Sequence, residues 1–265
     1  MIEKDLRLSD GRTLHVYDSG GDGLPVCWLH GTPNIGLPPE PLFRDDLRWV
    51  SFDRPGYGGS TRHLDRSVAS VATDTAAVAD FLGLDRLALV GHSGGASFAL
   101  GAASLLGTRV SSVLAVSALA PFGAKGLDWF AGMIPSGVAS LTAAAAGREA
   151  KERHENSGVE YDPEFTEADV AAFNGEWSFF GKVAGPAMAN GPGGLIDDDL
   201  CYVQPWIYNP ISPVMLLHGG QDGIAPPTHA DWLAHHMSVT ELLLYPAESH
   251  ISVLTHAREA LDFLE

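Results

Sequence analysis

A serine flanked by glycines is the residue of this sequence whose surroundings most clearly suggest chemistry. Ser93 lies within residues 91–95, which read Gly-His-Ser-Gly-Gly and fit the pattern Gly-x-Ser-x-Gly. An apolar segment, residues 87–90, precedes the pattern, and a segment rich in small residues follows it. A serine on such a turn from strand to helix holds its hydroxyl clear of the sheet, so we predict that Ser93 is a nucleophile.

The backbone beside Ser93 is suited to binding negative charge. The N–H of Gly94 opens the predicted helix, where unpaired amide donors and the helix dipole favour an anion. Glycines at positions 91 and 95 carry no side chain that would collide in so tight a turn. We therefore predict that Gly94 stabilises the oxygen that becomes negative when Ser93 attacks an acyl carbon.

Strands and helices alternate on both sides of this turn. Short apolar or alternating segments predict strands, and apolar residues spaced three and four apart predict helices. The predicted strands cover residues 13–18, 25–29, 48–52, 87–90, 110–116, 213–217 and 241–245, and the predicted helices cover residues 68–82, 94–100, 228–236 and 254–264. This alternation indicates an α/β fold with a mostly parallel sheet covered by helices on both faces.

Residues 122–208 interrupt the alternation. They contain few β-branched runs but include an alanine-rich stretch, an aromatic-rich stretch and a Gly/Pro loop. We predict that residues 122–208 form a helical cap, inserted between two strands of a core that comprises residues 1–121 and 209–265.

Five motifs together resemble the α/β-hydrolase superfamily, and the resemblance extends over essentially the whole chain. The motifs are His30-Gly31-Thr32-Pro33, Asp53-Arg54-Pro55-Gly56-Tyr57-Gly58-Gly59-Ser60, Gly91-His92-Ser93-Gly94-Gly95, Gly219-Gly220-Gln221-Asp222 and Ser249-His250. The resemblance implies an α/β-hydrolase fold with a helical cap. It also implies that Thr32 supplies a second backbone N–H to the oxyanion hole beside Gly94, and that the loop at residues 53–60 supports the His30 segment.

The same resemblance implies that the acid and the base follow the nucleophile in that order. Asp222 closely follows a predicted strand, whereas the strand after the nucleophile helix ends without an acidic residue, so Asp222 is the predicted acid. His250 lies between the last strand and the closing helix and is the predicted base. His256 falls within that helix, and Glu248, two residues away in an extended segment, is expected to point away from His250.

Composition excludes several classes of partner. The 265 residues carry a formal net charge of −17, which argues against binding nucleic acid or an anionic membrane. The N-terminus lacks the profile of a signal peptide, and no apolar run approaches the roughly 20 residues that span a bilayer, so we expect a cytoplasmic protein. No His-Glu-x-x-His motif, Walker loop or dinucleotide fingerprint occurs, so we expect no metal and no cofactor.

We predict a serine hydrolase that cleaves a small ester or lactone, neutral and partly apolar, through an acyl-enzyme on Ser93. Trp177, Phe180 and Met188 of the cap are predicted to line its pocket. A serine at position 93 argues against haloalkane dehalogenases and epoxide hydrolases of this fold, which carry an aspartate there.

Three alternatives stay open. A proline-iminopeptidase-like aminopeptidase would share the layout, although such enzymes carry His-Gly-Gly-Pro-Gly where residues 30–34 read His-Gly-Thr-Pro-Asn. A carbon–carbon bond hydrolase or a cofactor-free perhydrolase would use the same triad. A ligand-binding protein without catalysis could also be built on this scaffold.

Overall fold

The computed structural model describes residues 1–158, 161–239 and 241–265, and within these ranges the chain forms eight strands and nine α-helices. The strands are β1 (Ile2–Arg7), β2 (Thr13–Asp18), β3 (Leu24–Leu29), β4 (Leu47–Phe52), β5 (Leu87–His92), β6 (Val110–Val116), β7 (Val214–Gly219) and β8 (Glu241–Tyr245). The helices are α1 (Val68–Phe81), α2 (Gly94–Leu106), α3 (Pro135–Ala145), α4 (Arg148–Glu155), α5 (Glu167–Asn174), α6 (Phe180–Ala187), α7 (Gly193–Tyr202), α8 (Pro227–His236) and α9 (Ala257–Ala260). Short 3-10 turns cover Glu40–Leu42, Gly107–Arg109, Glu176–Phe179, Ser252–His256 and Leu261–Leu264.

All eight strands join one sheet in the order β1-β2-β4-β3-β5-β6-β7-β8. The pairs β1–β2 and β2–β4 are antiparallel, and every other neighbouring pair is parallel. This confirms the predicted mostly parallel sheet. Because parallel strands end at the same edge, the segments after β3, β5, β7 and β8 meet there, and these segments carry every residue predicted for the triad and the oxyanion hole.

The central strands are buried on both faces, and alternate residues therefore belong to two separate cores. In β3, Cys27 and Leu29 pack with helices α1, α2 and α8, whereas Val26 and Trp28 pack on the opposite face with α6 and the C-terminal turns. Two covered faces explain why these strands read as continuous apolar runs and not as an alternating pattern.

Two elements differ from the sequence prediction. The strand β1 was not predicted, because it lies at the sheet edge, is mostly exposed and alternates little between apolar and polar residues. The predicted closing helix at residues 254–264 is divided into the 3-10 turn Ser252–His256, the single turn of α9 and a second 3-10 turn. Its buried leucines still face the core as the pattern indicates.

Helices α3 to α7 all lie between β6 and β7, and the described part of residues 122–208 contains no strand. Helix α7 is unusual because three consecutive aspartates are buried in it. Seven of its last eight residues are buried, and they include Asp197, Asp198 and Asp199. The treatment of 122–208 as a cap separate from the core stays a prediction. Across the described ranges, no helix is long and apolar enough to cross a membrane.

Candidate active site

Ser93 occupies the sharp turn between β5 and α2. Its backbone has φ 57° and ψ −132°, a left-handed conformation that costs energy for any residue with a Cβ. The Ser93 N–H donates to the Val116 carbonyl over 2.8 Å, which ties the turn to the neighbouring strand. A Cβ at Gly95 would overlap the Leu29 carbonyl, so the turn requires glycine there. Every residue from 91 to 100 is buried except Ser93, whose side chain is partly exposed.

His250 and Asp222 form a buried hydrogen-bonded pair. The distance from His250 Nδ1 to Asp222 Oδ2 is 2.8 Å. Because an ionised carboxylate only accepts hydrogen bonds, Nδ1 carries the proton, and Nε2 of a neutral ring then has a free lone pair. Nε2 makes no hydrogen bond to any residue that the structure describes. This is the tautomer that a general base for a serine requires.

The second oxygen of Asp222 is held by the backbone of its own loop. Asp222 Oδ1 accepts the N–H groups of Ile224 at 2.9 Å and Ala225 at 2.8 Å. Burial would raise the pKa of Asp222, but His250, aided by the nearby His218 and the Ala225 N–H, holds it below its ordinary value. Asp222 therefore stays ionised and keeps the His250 ring oriented.

The loop of His250 is anchored from two sides. In helix α5, Asp169 Oδ1 accepts the N–H groups of Ile251 and Ser252, both at 2.9 Å. From the nucleophile turn, His92 Nε2 donates to the His250 carbonyl over 2.9 Å, and the two rings lie 4.9 Å apart. Burial, followed by the nearby His250, lowers the pKa of His92 to about 3, so His92 is neutral. The residue before Ser93 thus positions the predicted base.

The Thr32 N–H is oriented by its neighbours. The Gly31 carbonyl accepts hydrogen bonds from His30 Nδ1 at 2.8 Å and from Arg54 Nη2 at 3.1 Å. In a trans peptide the N–H points opposite to the carbonyl, so the Thr32 N–H points away from Arg54. In the described part of the chain, neither this N–H nor that of Gly94 donates to a protein acceptor. Both predicted oxyanion donors are therefore available.

The loop at residues 53–60 supports this segment, as the resemblance implies. His30 Nε2 accepts the backbone N–H of Arg54 at 3.0 Å, and the Arg54 side chain donates to the His30 carbonyl. Burial, followed by the charge of Arg54, lowers the pKa of His30 well below its ordinary value, so this ring is neutral. His30 is a scaffold residue.

A buried ionic cluster that the sequence analysis did not identify lies behind Thr32. Asp198 of α7 pairs with Arg54 Nη2 at 2.6 Å and Arg66 Nη2 at 2.9 Å, with all three side chains fully buried. Asp198 also accepts hydrogen bonds from Tyr57 Oη at 2.8 Å and Thr32 Oγ1 at 2.6 Å. Burial opposes ionisation, but the two guanidinium groups outweigh it and lower the pKa of Asp198. The one sequence signal was three consecutive aspartates, which a solvated helix would also show.

Tyr202, the last residue of α7, contacts both this cluster and the nucleophile turn. Its hydroxyl lies 2.6 Å from Thr32 Oγ1. A Cβ at Gly94 would overlap the same hydroxyl and the ring carbon that bears it. Tyr202 therefore occupies the space that a side chain following Ser93 would otherwise fill.

The three predicted pocket residues lie in different surroundings. Trp177 is fully buried and lies 5.9 Å, between ring centroids, from Phe180. Phe180 is also buried and lies 5.7 Å from the ring of His92, beside the nucleophile turn. Met188 is 38% exposed. The role of these residues in substrate binding stays a prediction.

Two other features bear on the chemistry. Glu248, the acidic residue nearest His250 along the chain, approaches His256 Nε2 at 3.4 Å instead of contacting His250, as expected from the sequence. In the described ranges, no group of three or more histidine, cysteine, aspartate or glutamate side chains is arranged to hold a metal ion.

Two curated relatives match parts of the chain. A dihydrolipoyllysine-residue acetyltransferase component of an acetoin cleaving system from Pseudomonas putida is 32% identical over 108 residues, covering 39% of this chain and 29% of the relative. A proline iminopeptidase from Neisseria meningitidis is 30% identical over 116 residues, covering 41% of this chain and 37% of the relative. The chain thus spans about a third of the length of these relatives.

Similarity in structure and in family pattern extends much further. The enol-lactonase from Burkholderia xenovorans superposes with a TM-score of 0.73 at 16% identity, over 98% of this chain and 99% of that chain, which is a likeness of fold alone. The family model described as alpha/beta hydrolase fold matches residues 25–257. Since that match covers most of the sequence, the chain belongs to the α/β-hydrolase fold family.

Proposed function

We propose that this protein is a serine hydrolase that cleaves small esters or lactones through an acyl-enzyme on Ser93. The observation that carries the proposal is the 2.8 Å hydrogen bond from His250 Nδ1 to Asp222, which leaves Nε2 free as a proton acceptor. The hydrogen bond from His92 to the His250 carbonyl links this ring to the nucleophile turn. The backbone N–H groups of Thr32 and Gly94, which have no protein acceptor among the described residues, are the proposed oxyanion donors.

The mechanism follows from these roles. His250 Nε2 takes the Ser93 proton as Oγ attacks the carbonyl carbon, and Asp222 stabilises the imidazolium that forms. The N–H groups of Thr32 and Gly94 donate to the oxyanion. His250 then gives the proton to the leaving alkoxide oxygen, and the acyl-enzyme remains. Water, deprotonated by His250, attacks the acyl-enzyme and releases the acid and free Ser93.

The surroundings favour a neutral substrate over an N-terminal amine. An aminopeptidase needs an unpaired carboxylate near the nucleophile to hold the substrate's ammonium group. Asp198 is saturated by Arg54 and Arg66, and Asp169 is occupied by two backbone N–H groups. Asp222 is committed to His250. Among the described residues, Asp169, Asp198 and Asp222 are thus each already paired, which supports an ester or lactone substrate over the activity named for the iminopeptidase relative.

The proposal is tested by Ser93→Ala with a short-chain p-nitrophenyl ester as substrate. We expect kcat to fall by several orders of magnitude, up to about 10⁶-fold, with the fold retained. Wild type should also react with a fluorophosphonate probe, and Ser93→Ala should not. Ser104→Ala, on the same helix, is the matched control because its hydroxyl only bonds the Leu100 carbonyl.

The outcomes separate the candidate activities. Retained turnover in Ser93→Ala would remove this serine from the mechanism. Slow probe labelling of wild type would favour the ligand-binding protein. A panel of esters, lactones, aminoacyl amides and β-diketones then distinguishes ester hydrolysis from peptidase and carbon–carbon bond chemistry, and faster turnover of the amides or diketones would contradict the substrate class.

A further inference from the structure

The hydroxyl of Tyr202 lies between the two residues whose N–H groups we assign to the oxyanion hole. It is 2.6 Å from Thr32 Oγ1, and it fills the position of a Cβ on Gly94. The side chain is 95% buried, and α7 delivers it from the helical segment between β6 and β7. A polar hydrogen therefore stands at the wall of the proposed oxyanion hole.

We propose that Tyr202 is a further catalytic residue, whose phenolic O–H gives the oxyanion a third hydrogen bond beside the N–H groups of Thr32 and Gly94. This inference rests on the proposed function. It adds a donor from α7 to a site otherwise built from loops at the sheet edge.

The hydrogen bonds around Thr32 allow the Tyr202 hydroxyl to exchange its acceptor, from Thr32 Oγ1 in the resting state to the oxyanion. Thr32 Oγ1 donates to Asp198, so Tyr202 donates to Thr32 Oγ1 in the resting state. Asp198 has other donors, from Arg54, Arg66 and Tyr57, and does not depend on Thr32. The Thr32 hydroxyl can therefore turn to donate to the Tyr202 oxygen, which releases the phenolic O–H towards the oxyanion.

The exchange is favoured only when the oxyanion forms. A hydrogen bond to a charged acceptor is roughly twice as strong as one to a neutral hydroxyl such as Thr32. The ground-state carbonyl offers no such gain, so Tyr202 binds the transition state better than the substrate. An interaction of this kind raises kcat and leaves KM nearly unchanged.

The surroundings of Tyr202 keep its phenol protonated. Its hydroxyl lies beside the buried cluster in which Asp198 pairs with Arg54 and Arg66. Burial, followed by Asp198, raises the pKa of Tyr202 well above its ordinary value, so the phenol keeps its proton.

The variant Tyr202→Phe removes the donor and keeps the ring. We expect kcat for a p-nitrophenyl ester to fall by about 10²-fold, the loss typical of one oxyanion donor, with KM little changed. A trifluoromethyl ketone that forms a tetrahedral adduct with Ser93 should bind more weakly by a similar factor. Tyr57→Phe is the matched control, because it removes a buried phenolic O–H from the same cluster, where this hydroxyl donates to Asp198, and does not touch Gly94.

The results separate this proposal from the proposed function. Loss of activity in Ser93→Ala with full kcat and full ketone affinity in Tyr202→Phe would overturn the third donor alone. Full activity in both variants would overturn the function itself. Equal losses of kcat in Tyr202→Phe and Tyr57→Phe, matched by equal losses of stability, would show that Tyr202 acts only through packing and would also overturn the proposal.

A second measurement covers the case in which Tyr202→Phe does not fold. Fluorotyrosines incorporated at position 202 change the acidity of the phenol with little change in size. We expect log kcat to vary with the phenol pKa across such a series. A constant kcat would contradict donation from this hydroxyl.

Discussion

Asp222 and Asp198 are two buried carboxylates near Ser93, and they differ in the hydrogen-bonding partners that they bind. Asp222 binds His250, a partner whose second nitrogen has no acceptor or donor among the described residues. Asp198 binds two arginines, a tyrosine and a threonine, and none of these partners presents an unprotonated nitrogen. Burial and a lowered pKa are common to both, so neither property alone marks catalysis.

Asp222 and Asp198 differ in whether their partners can transfer a proton. Histidine can gain or lose a proton near neutral pH, and its planar ring passes a change at one nitrogen to the other. Arginine is always charged, so the Asp198 cluster cannot take part in proton transfer. The free nitrogen of His250 beside Asp222 indicates chemistry, whereas the permanently charged ion pairs of Asp198 indicate anchoring of α7 against the loops of Thr32 and Arg54.

The largest effect that this comparison predicts is on catalysis, in Asp222→Asn. The asparagine amide would donate to His250 Nδ1, which places the ring proton on Nε2 and prevents that nitrogen from accepting the Ser93 proton. We expect kcat to fall by about 10⁴-fold. Steady-state kinetics with a p-nitrophenyl ester measure the loss, and thermal unfolding should show that the fold persists.

Glu248→Gln is the matched control for this variant. Glu248 contacts His256 at the surface side of the same loop, so its loss should leave kcat near the wild-type value. If Glu248→Gln is the more damaging substitution, the contrast between the two carboxylates is misassigned and Glu248 is the acid.

Asp222 could be predicted from the sequence because its signals are local. Ser93 and His250 each follow a predicted strand, and parallel strands place their carboxyl ends together, so motif and topology together specify the neighbourhood. Asp198 offers no comparable signal. Its partners Arg54 and Arg66 lie more than a hundred residues earlier, and only the packing of α7 brings them within 3 Å.

The same distinction holds for the fold. The buried strand β5 was predicted with the correct start and an end two residues short, because burial on both faces produces an unbroken apolar run. Exposed β1 joins the sheet through backbone hydrogen bonds to β2, and these bonds do not depend on which side chains the strand carries. The role proposed for Tyr202 left no signal in the sequence for a related reason, since it depends on the absence of a side chain at Gly94.

The next effect is on stability, in Asp198→Asn. The substitution leaves the guanidinium groups of Arg54 and Arg66 buried without their carboxylate. Removing one partner from a buried ion pair typically costs about 3–5 kcal/mol, and we expect a loss of this size in the free energy of unfolding. Urea denaturation at neutral pH measures it.

Asp197→Asn tests whether burial of the partners sets this cost. Asp197 is as buried as Asp198, but its partners Arg62 and Arg148 are 37% and 32% exposed. Water can solvate these arginines when the carboxylate is removed, so we expect a loss of about 1 kcal/mol or less. Equal losses in the two variants would mean that the buried arginines are not the reason for the cost.

The smallest effect concerns acid stability, and its sign follows from the lowered pKa of Asp198 in the folded protein. Above its ordinary value of 3.8, the carboxylate is ionised whether the chain is folded or unfolded, and its stabilisation is complete. Below that value the unfolded chain binds the proton first, so the stabilisation declines as the pH falls towards the folded pKa. The stability difference between wild type and Asp198→Asn, measured by urea denaturation, should therefore be constant above about pH 5 and should shrink below about pH 4. A difference that grows on acidification would show that the carboxylate is protonated more readily in the folded protein, contrary to its pairing with two arginines.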